Sequence, residues 1–175
     1  MLVDDELSHL TKRLKKDGEK TKAVFEGLTS QDWTVQVYTT GSEWTVREIL
    51  AHFISAERAF HQLINDVRQG GSGAPRDLDI VEFNEREVPK LDDLSAHQLL
   101  HEYWQARQQS LRLTQSLQPL DLDKHGYHPW FGDVPIRDML KLVYRHNMIH
   151  LRDMRKALKQ GSPVPHKEID PPSST

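Results

Sequence analysis

Cysteine is missing from all 175 residues. That excludes disulfides, thiolate metal sites and cysteine nucleophiles, while leaving the redox compartment open. A surplus of positive charge is missing as well: 23 Lys and Arg stand against 26 Asp and Glu, a formal net charge of −3. A general nucleic-acid binder would show a basic excess, so no nucleic-acid partner is expected. No 18-residue apolar stretch is present for a membrane span. The opening MLVDDELSHL is acidic and lacks the apolar run of a signal peptide. These absences describe a cytoplasmic protein with no membrane partner, long enough for one domain with a substantial core. Alternating strand patterns are also scarce, which leaves helical periodicity as the signal to follow.

Histidine, by contrast, is abundant, with ten in the chain. The spacing predicts a last helix from about Pro135 to Gln160, with Ile136, Met139, Leu140, Val143, Met154, Ala157 and Leu158 on one side. Arg137, Lys141, Arg145, Arg152, Arg155, Lys156 and Lys159 lie opposite and read as a solvated face. His146 and His150 fall in the apolar stripe, one turn apart, among Met139, Val143 and Met154. Such an i, i+4 pair can hold one metal ion, because the rings start ~5–6 Å apart at Cβ and can converge. HxxxH spacing alone is weak in a chain this rich in histidine, and the chain supplies its own control. His97 and His101 have the same spacing, but Leu99, Tyr103, Ala106, Leu113 and Leu117 define the other face of their helix, so this second pair reads as solvated. Asn147 occupies the position of the glutamate in the zinc-protease HExxH, which excludes that chemistry.

Earlier segments supply partners for this helix. About Asp4 to Leu28 forms one amphipathic helix, with Gly18 in its stripe providing close helix packing or room for a ligand, and Asp17 at its border. Residues Ser30 to Ser42, with Trp33, Tyr38 and Gly41, read as a connector folded against the bundle end. Thr45 and Glu48 have capping-box spacing before a second helix bearing Ile49, Phe53, Ala56, Phe60, Leu63 and Val67, with His52 at the margin of that face. GGSGAP, residues 70–75, reads as a flexible connector and lacks the ending of a phosphate loop. A short helix is expected over about Asp79 to Val88. Ser95 and Gln98 cap a third long helix that Pro119 closes. Leu120 to Val134 reads as a long loop with His125 and His128 on a pocket rim. Gly161 can cap the last helix, and residues 161–175 are expected to form a disordered tail.

The outcome is an all-α fold, a four-helix bundle over residues 1–160 with long connections. Three histidines face inward: His52, His146 and His150. Three neutral imidazoles bind a divalent ion and leave a coordination position open, which is a catalytic rather than a structural arrangement. Glu48, one turn before His52, is placed to accept the second ring N–H of that histidine, although its capping role competes for the same carboxylate. Asp17, Glu57, Asn84 and His128 are pocket candidates, and none stands out as a general base. Leu100, Trp104 and Leu111 widen the apolar surface of the third long helix, which suits either a homodimer interface or packing on the last helix.

At these residues the sequence resembles the DinB-like superfamily, four-helix bundles that include bacillithiol and mycothiol S-transferases. EWTVREILAHFISAERAF looks like the family's tryptophan, capped helix and first ligand histidine, and YRHNMIHLRDMRKAL looks like its closing HxxxH helix. FNEREV and the hairpin-like HPWFGDVPIRDML are similar to members of the mycothiol-related branch. The likeness covers most of residues 4–160. It implies that His52, His146 and His150 bind zinc, nickel or iron and support thiol transfer, isomerisation or hydrolysis of a small molecule, with a low-molecular-weight thiol as a candidate cofactor. The competing expectation is a non-catalytic helical bundle, metal-binding or metal-free, that serves in association or stress response.

Overall fold

In the computed structural model, which describes residues 3–166, the helices are α1 (Val3–Glu26), α2 (Val46–Arg68), α3 (Ile80–Glu87), α4 (Ala96–Ser116) and α5 (Ile136–Gln160). Their ends follow side-chain chemistry. Thr45 accepts from the Glu48 backbone N–H while the Glu48 carboxylate accepts from that of Thr45, and Ser95 and Gln98 repeat the arrangement at α4. Both boxes satisfy amide groups that the first helical turn leaves unpaired. Gly161 stops α5 in a left-handed conformation, φ 68°, which a glycine adopts without a Cβ penalty.

α1 and α2 each pack against both α4 and α5. The bundle therefore has α1 and α2 on one diagonal and α4 and α5 on the other. Chain neighbours α1 and α2, like α4 and α5, must be joined across the bundle end, and short turns cannot do that. This accounts for the long connections over residues 27–45 and 117–135. It also decides what α4 covers: Leu111 is buried and Leu100 packs on the core, chiefly through contacts with α1 and α2 rather than with the last helix.

Apolar side chains separate into two clusters. One contains Phe25, Ile49, Phe53, Leu99, Tyr103, Leu151 and Met154. The other contains Leu10, Leu14, Ile64, Val67, Leu113, Met139 and Val143. Along α1, α2, α4 and α5 the residues between these sets include buried polar groups, namely Asp17 and Thr21, Glu57, Arg107, and Asn147. Candidate chemistry is thus concentrated at mid-height.

Three connecting segments are more ordered than their sequences suggest. Within the expected long loop, Pro119–Asp123 forms a 3-10 turn, and strands β1 (His125–His128) and β2 (Gly132–Pro135) pair antiparallel with His125 opposite Pro135 and His128 opposite Gly132. The expected flexible connector docks on this hairpin: the Ala74 N–H donates to the Tyr127 carbonyl at 2.9 Å, and the Tyr127 N–H donates to that of Ser72 at 2.8 Å. Gly73 permits the contact, since a Cβ there would come 2.5 Å from the Tyr127 nitrogen. The third correction concerns the tail. Val164 is buried and exchanges backbone hydrogen bonds with Val37 and Thr39, because one apolar residue among the prolines and serines finds a place in the core. The expectation for residues 167–175 lies outside the described residues. Among the described residues no helix is long and apolar enough to cross a membrane.

Candidate metal centre

α2 and α5 bring the three inward histidines together. One ring nitrogen from each of His52, His146 and His150 lies within 4.8 Å of the others, the only such group of three metal-binding side chains among the described residues. His52 Nε2 and His146 Nε2 stand 2.8 Å apart. Trp44, just before α2, tilts over the His52 ring at 4.3 Å between centroids.

The outer nitrogens determine which lone pairs point inward. His146 Nδ1 donates to Asn147 Oδ1 at 3.3 Å, and Asn147 Nδ2 donates to the Tyr103 hydroxyl at 3.3 Å. His150 Nδ1 lies 2.7 Å from the Tyr38 hydroxyl, which donates onward to Asp153 Oδ2 at 3.5 Å. With Tyr38 donating to the carboxylate, His150 donates to Tyr38. Both α5 histidines therefore carry their proton on Nδ1 and offer Nε2, the pattern outer partners impose on metal-binding imidazoles. Burial pushes Tyr38 above the ordinary phenol range, with the Asp153 charge adding to the effect, so the hydroxyl stays a neutral donor.

Burial likewise keeps the imidazoles uncharged. It lowers His146 to about 4, against a smaller opposing effect of the Asn147 hydrogen bond. His52 and His150 are held well below the usual range by burial first and by neighbouring histidines second. Three neutral rings converge here; with the His146 proton on Nδ1, the 2.8 Å contact is His52 Nε2–H donating to His146 Nε2, a proton that a bound cation would displace to His52 Nδ1. His52 Nδ1 is buried without a hydrogen-bond partner, so this ring can carry its proton on the outer nitrogen and free Nε2. The donor set fits a divalent cation of borderline softness.

The cluster forms part of the wall of a cavity of about 620 Å³. Phe60, Leu63, Phe83, Phe131 and Ile149 make much of the lining, with Arg86 and Arg145 also present. Two of the expected pocket residues are there. Asn84 reaches the cavity from α3, and His128 from β1, stacked on Phe60 at 5.4 Å between centroids. His128 is lowered to about 4 by burial and then by His146.

Three other expectations require correction. Asp17 and Glu57 do not line this cavity, because a buried Arg107 claims both. Its Nε and Nη2 donate to the Glu57 oxygens at 3.0 Å, and its Nη1 donates to the Leu14 carbonyl at 2.7 Å and to Asp17 at 3.3 Å. Gly18 gives room to this side chain rather than to a ligand, since a Cβ would meet Arg107 Cγ at 2.7 Å. Glu48 makes its side-chain hydrogen bonds to Thr45, both at 2.7 Å, and none to His52. The helix cap wins the competition for the carboxylate. His97 and His101 are solvent-exposed, as their helix face requires.

Tyr38, Asn147 and Asp153 were not among the expected site residues. Asn147 and Asp153 carried a usable signal, as polar residues on the buried side of α5. Tyr38 sits in an irregular connector, where no periodicity points its side chain anywhere.

The model of the DinB superfamily matches residues 13–154. Among solved structures, the chain is similar to a mycothiol-dependent maleylpyruvate isomerase, with a TM-score of 0.72 and 14% identity over 85% of this chain and 60% of that one. It therefore spans less than two thirds of that enzyme's length. YfiT from Bacillus subtilis, described as "a probable metal-dependent hydrolase with an unusual four-helix bundle topology", gives a TM-score of 0.68 and 15% identity over 89% of this chain and 88% of that one. The colibactin self-resistance protein ClbS, solved in complex with a dsDNA, gives 0.66 and 14% over 86% and 95%. No curated protein matches the sequence. At these identities the structural likeness establishes the shared fold.

Proposed function

The chain belongs to the DinB superfamily, and from that premise we propose that it is a metal-dependent enzyme acting on a small molecule through His52, His146 and His150. The observation that carries this reading is the convergence of three neutral imidazole nitrogens in the wall of a largely apolar cavity. A divalent zinc, nickel or iron ion held there would lower the pKa of a coordinated water or thiol and polarise a substrate oxygen. The reaction class is thiol transfer, isomerisation or hydrolysis, with a low-molecular-weight thiol as co-substrate in the first case.

The chain's own groups support that chemistry in three ways. Asn147 and the Tyr38–Asp153 pair fix the orientation of His146 and His150. Phe60, Phe83 and Phe131 give the space beside the histidines an apolar lining, in which electrostatic effects on a bound reactant would be stronger once water is displaced. His128 and Asn84 supply polar contacts on otherwise apolar walls and suit the task of orienting a substrate. A cavity of this size fits a small molecule. We propose a cytoplasmic location.

Elemental analysis of untagged protein tests the proposal. About one divalent ion per chain is expected, lost in His146→Ala and in His150→Ala and retained in His97→Ala and His101→Ala. Equal metal content in all four variants, or none after reconstitution with zinc, nickel and iron, would leave an interaction module as the better account.

A further inference from the structure

The six residues after α5 return to the site. Beyond Gly161, Val164 forms a parallel bridge with Tyr38, its N–H donating to the Val37 carbonyl at 2.8 Å and its carbonyl accepting from Thr39 at 3.0 Å. The His166 N–H then donates to Thr40 Oγ1 at 3.1 Å. These bonds set the His166 ring on that of Tyr38, with centroids 4.3 Å apart and planes tilted by 35°. His166 also lies 5.6 Å from the His150 ring and lines the same cavity as the three clustered histidines. Gly41 makes the space: it has a φ of 68°, and its missing Cβ would stand 3.3 Å from His166 Nδ1.

Tyr38 is the partner of His150 Nδ1 and is fully buried, although it lies in a connector rather than on one of the bundle helices. One face of its ring is covered by His166. We propose that His166 is a positioning residue of the metal centre, delivered by a C-terminal strap: it clamps Tyr38 where the phenol holds His150, and so sets how long the site retains its ion. The inference rests on the metal reading above and adds to it a fourth imidazole, supplied from outside the bundle.

Cobalt(II) is a suitable probe, because its d–d absorption reports ligand geometry and its release to excess chelator can be timed. Loss of an outer partner of a metal-bound histidine typically weakens binding by about 10- to 100-fold. His166→Ala acts one step further out, through Tyr38, and is expected to release cobalt faster by up to about 10-fold, the low end of that range, and to shift the d–d bands; a chain ended after Gly161 should match it. His166→Phe, which keeps a ring against Tyr38, should stay close to wild type. In a Tyr38→Phe background, His166→Ala should add little, since both changes break the same link. Unaltered release from His166→Ala overturns the proposal, as does full additivity of the two substitutions or a His166→Phe as defective as the alanine variant. These outcomes leave the three-histidine site standing. Failure of the wild-type protein to bind cobalt would remove that site and the strap's role together.

Discussion

Two buried polar clusters lie at the middle of this bundle, and their hydrogen-bond balance separates them. Around Arg107 the balance closes: guanidinium N–H groups meet two carboxylates and a carbonyl at 2.7–3.3 Å. Burial opposes the Arg107 charge, but Glu57 beside it keeps the guanidinium firmly protonated, while burial pushes Asp17 up against the counteracting pull of Arg107. Around His52, His146 and His150 the balance stays open: Asn147 and Tyr38 hold the outer nitrogens of His146 and His150, His52 Nδ1 makes no hydrogen bond, and the His52–His146 contact pairs two of the three inner nitrogens. Only the open cluster borders the large cavity. Polar burial by itself therefore does not mark a site. An arginine triad that satisfies itself is scaffold, whereas an imidazole cluster left open can take a cation.

The largest effect should come from breaking the closed cluster. Arg107→Met leaves Glu57 and Asp17 buried without a partner, and loss of one member of a buried pair costs about 3–5 kcal/mol. Urea unfolding of the metal-free protein should show that loss, while metal content under native conditions persists. The opposite pattern would erase the distinction. The clusters do have one bridge: Arg107 lies over the Tyr103 ring at 5.7 Å, and Tyr103 accepts from Asn147, the partner of His146. Metal lost from a stably folded Arg107→Met would mean that this bridge carries the function of the arginine.

A middle-sized effect sharpens the contrast from the other side. Asn147→Ala removes the acceptor that keeps the His146 proton on Nδ1, and affinity should drop by about 10- to 100-fold in a competition titration against a chelator of known strength. Wild-type affinity in this variant would show that helix geometry alone orients the ring.

The same contrast explains what could be read in the sequence. Helical periodicity and capping boxes place the long helices, and the clustering of the three inward histidines follows from which face each occupies. Periodicity cannot say which helices become diagonal neighbours. Asp17 and Glu57 thus look available until α4 inserts Arg107 between them, even though Arg107 lies one turn beyond Tyr103 on the stripe and its position is visible in hindsight. Tyr38 and His166 lie in extended connectors whose side-chain directions depend on tertiary pairing with each other's strand. Neither has a repeat to betray it, and both end up beside His150.

Glu48 provides the smallest effect and the finest test, because one carboxylate has two claims on it. One turn before His52, it could orient that ring; in the structure it accepts from the Thr45 backbone N–H and hydroxyl, and His52 Nδ1 is left unpartnered. If capping is its whole role, Glu48→Ala should cost about 1 kcal/mol of stability and leave metal affinity untouched. Glu48→Gln should be close to neutral in both, since glutamine also completes a capping box. Reduced affinity in Glu48→Ala, with stability accounted for by the lost cap, would mean that the carboxylate turns to His52 when an ion is bound. The open cluster would then draw on the scaffold to complete itself, and the boundary between the two clusters would shift with metal binding.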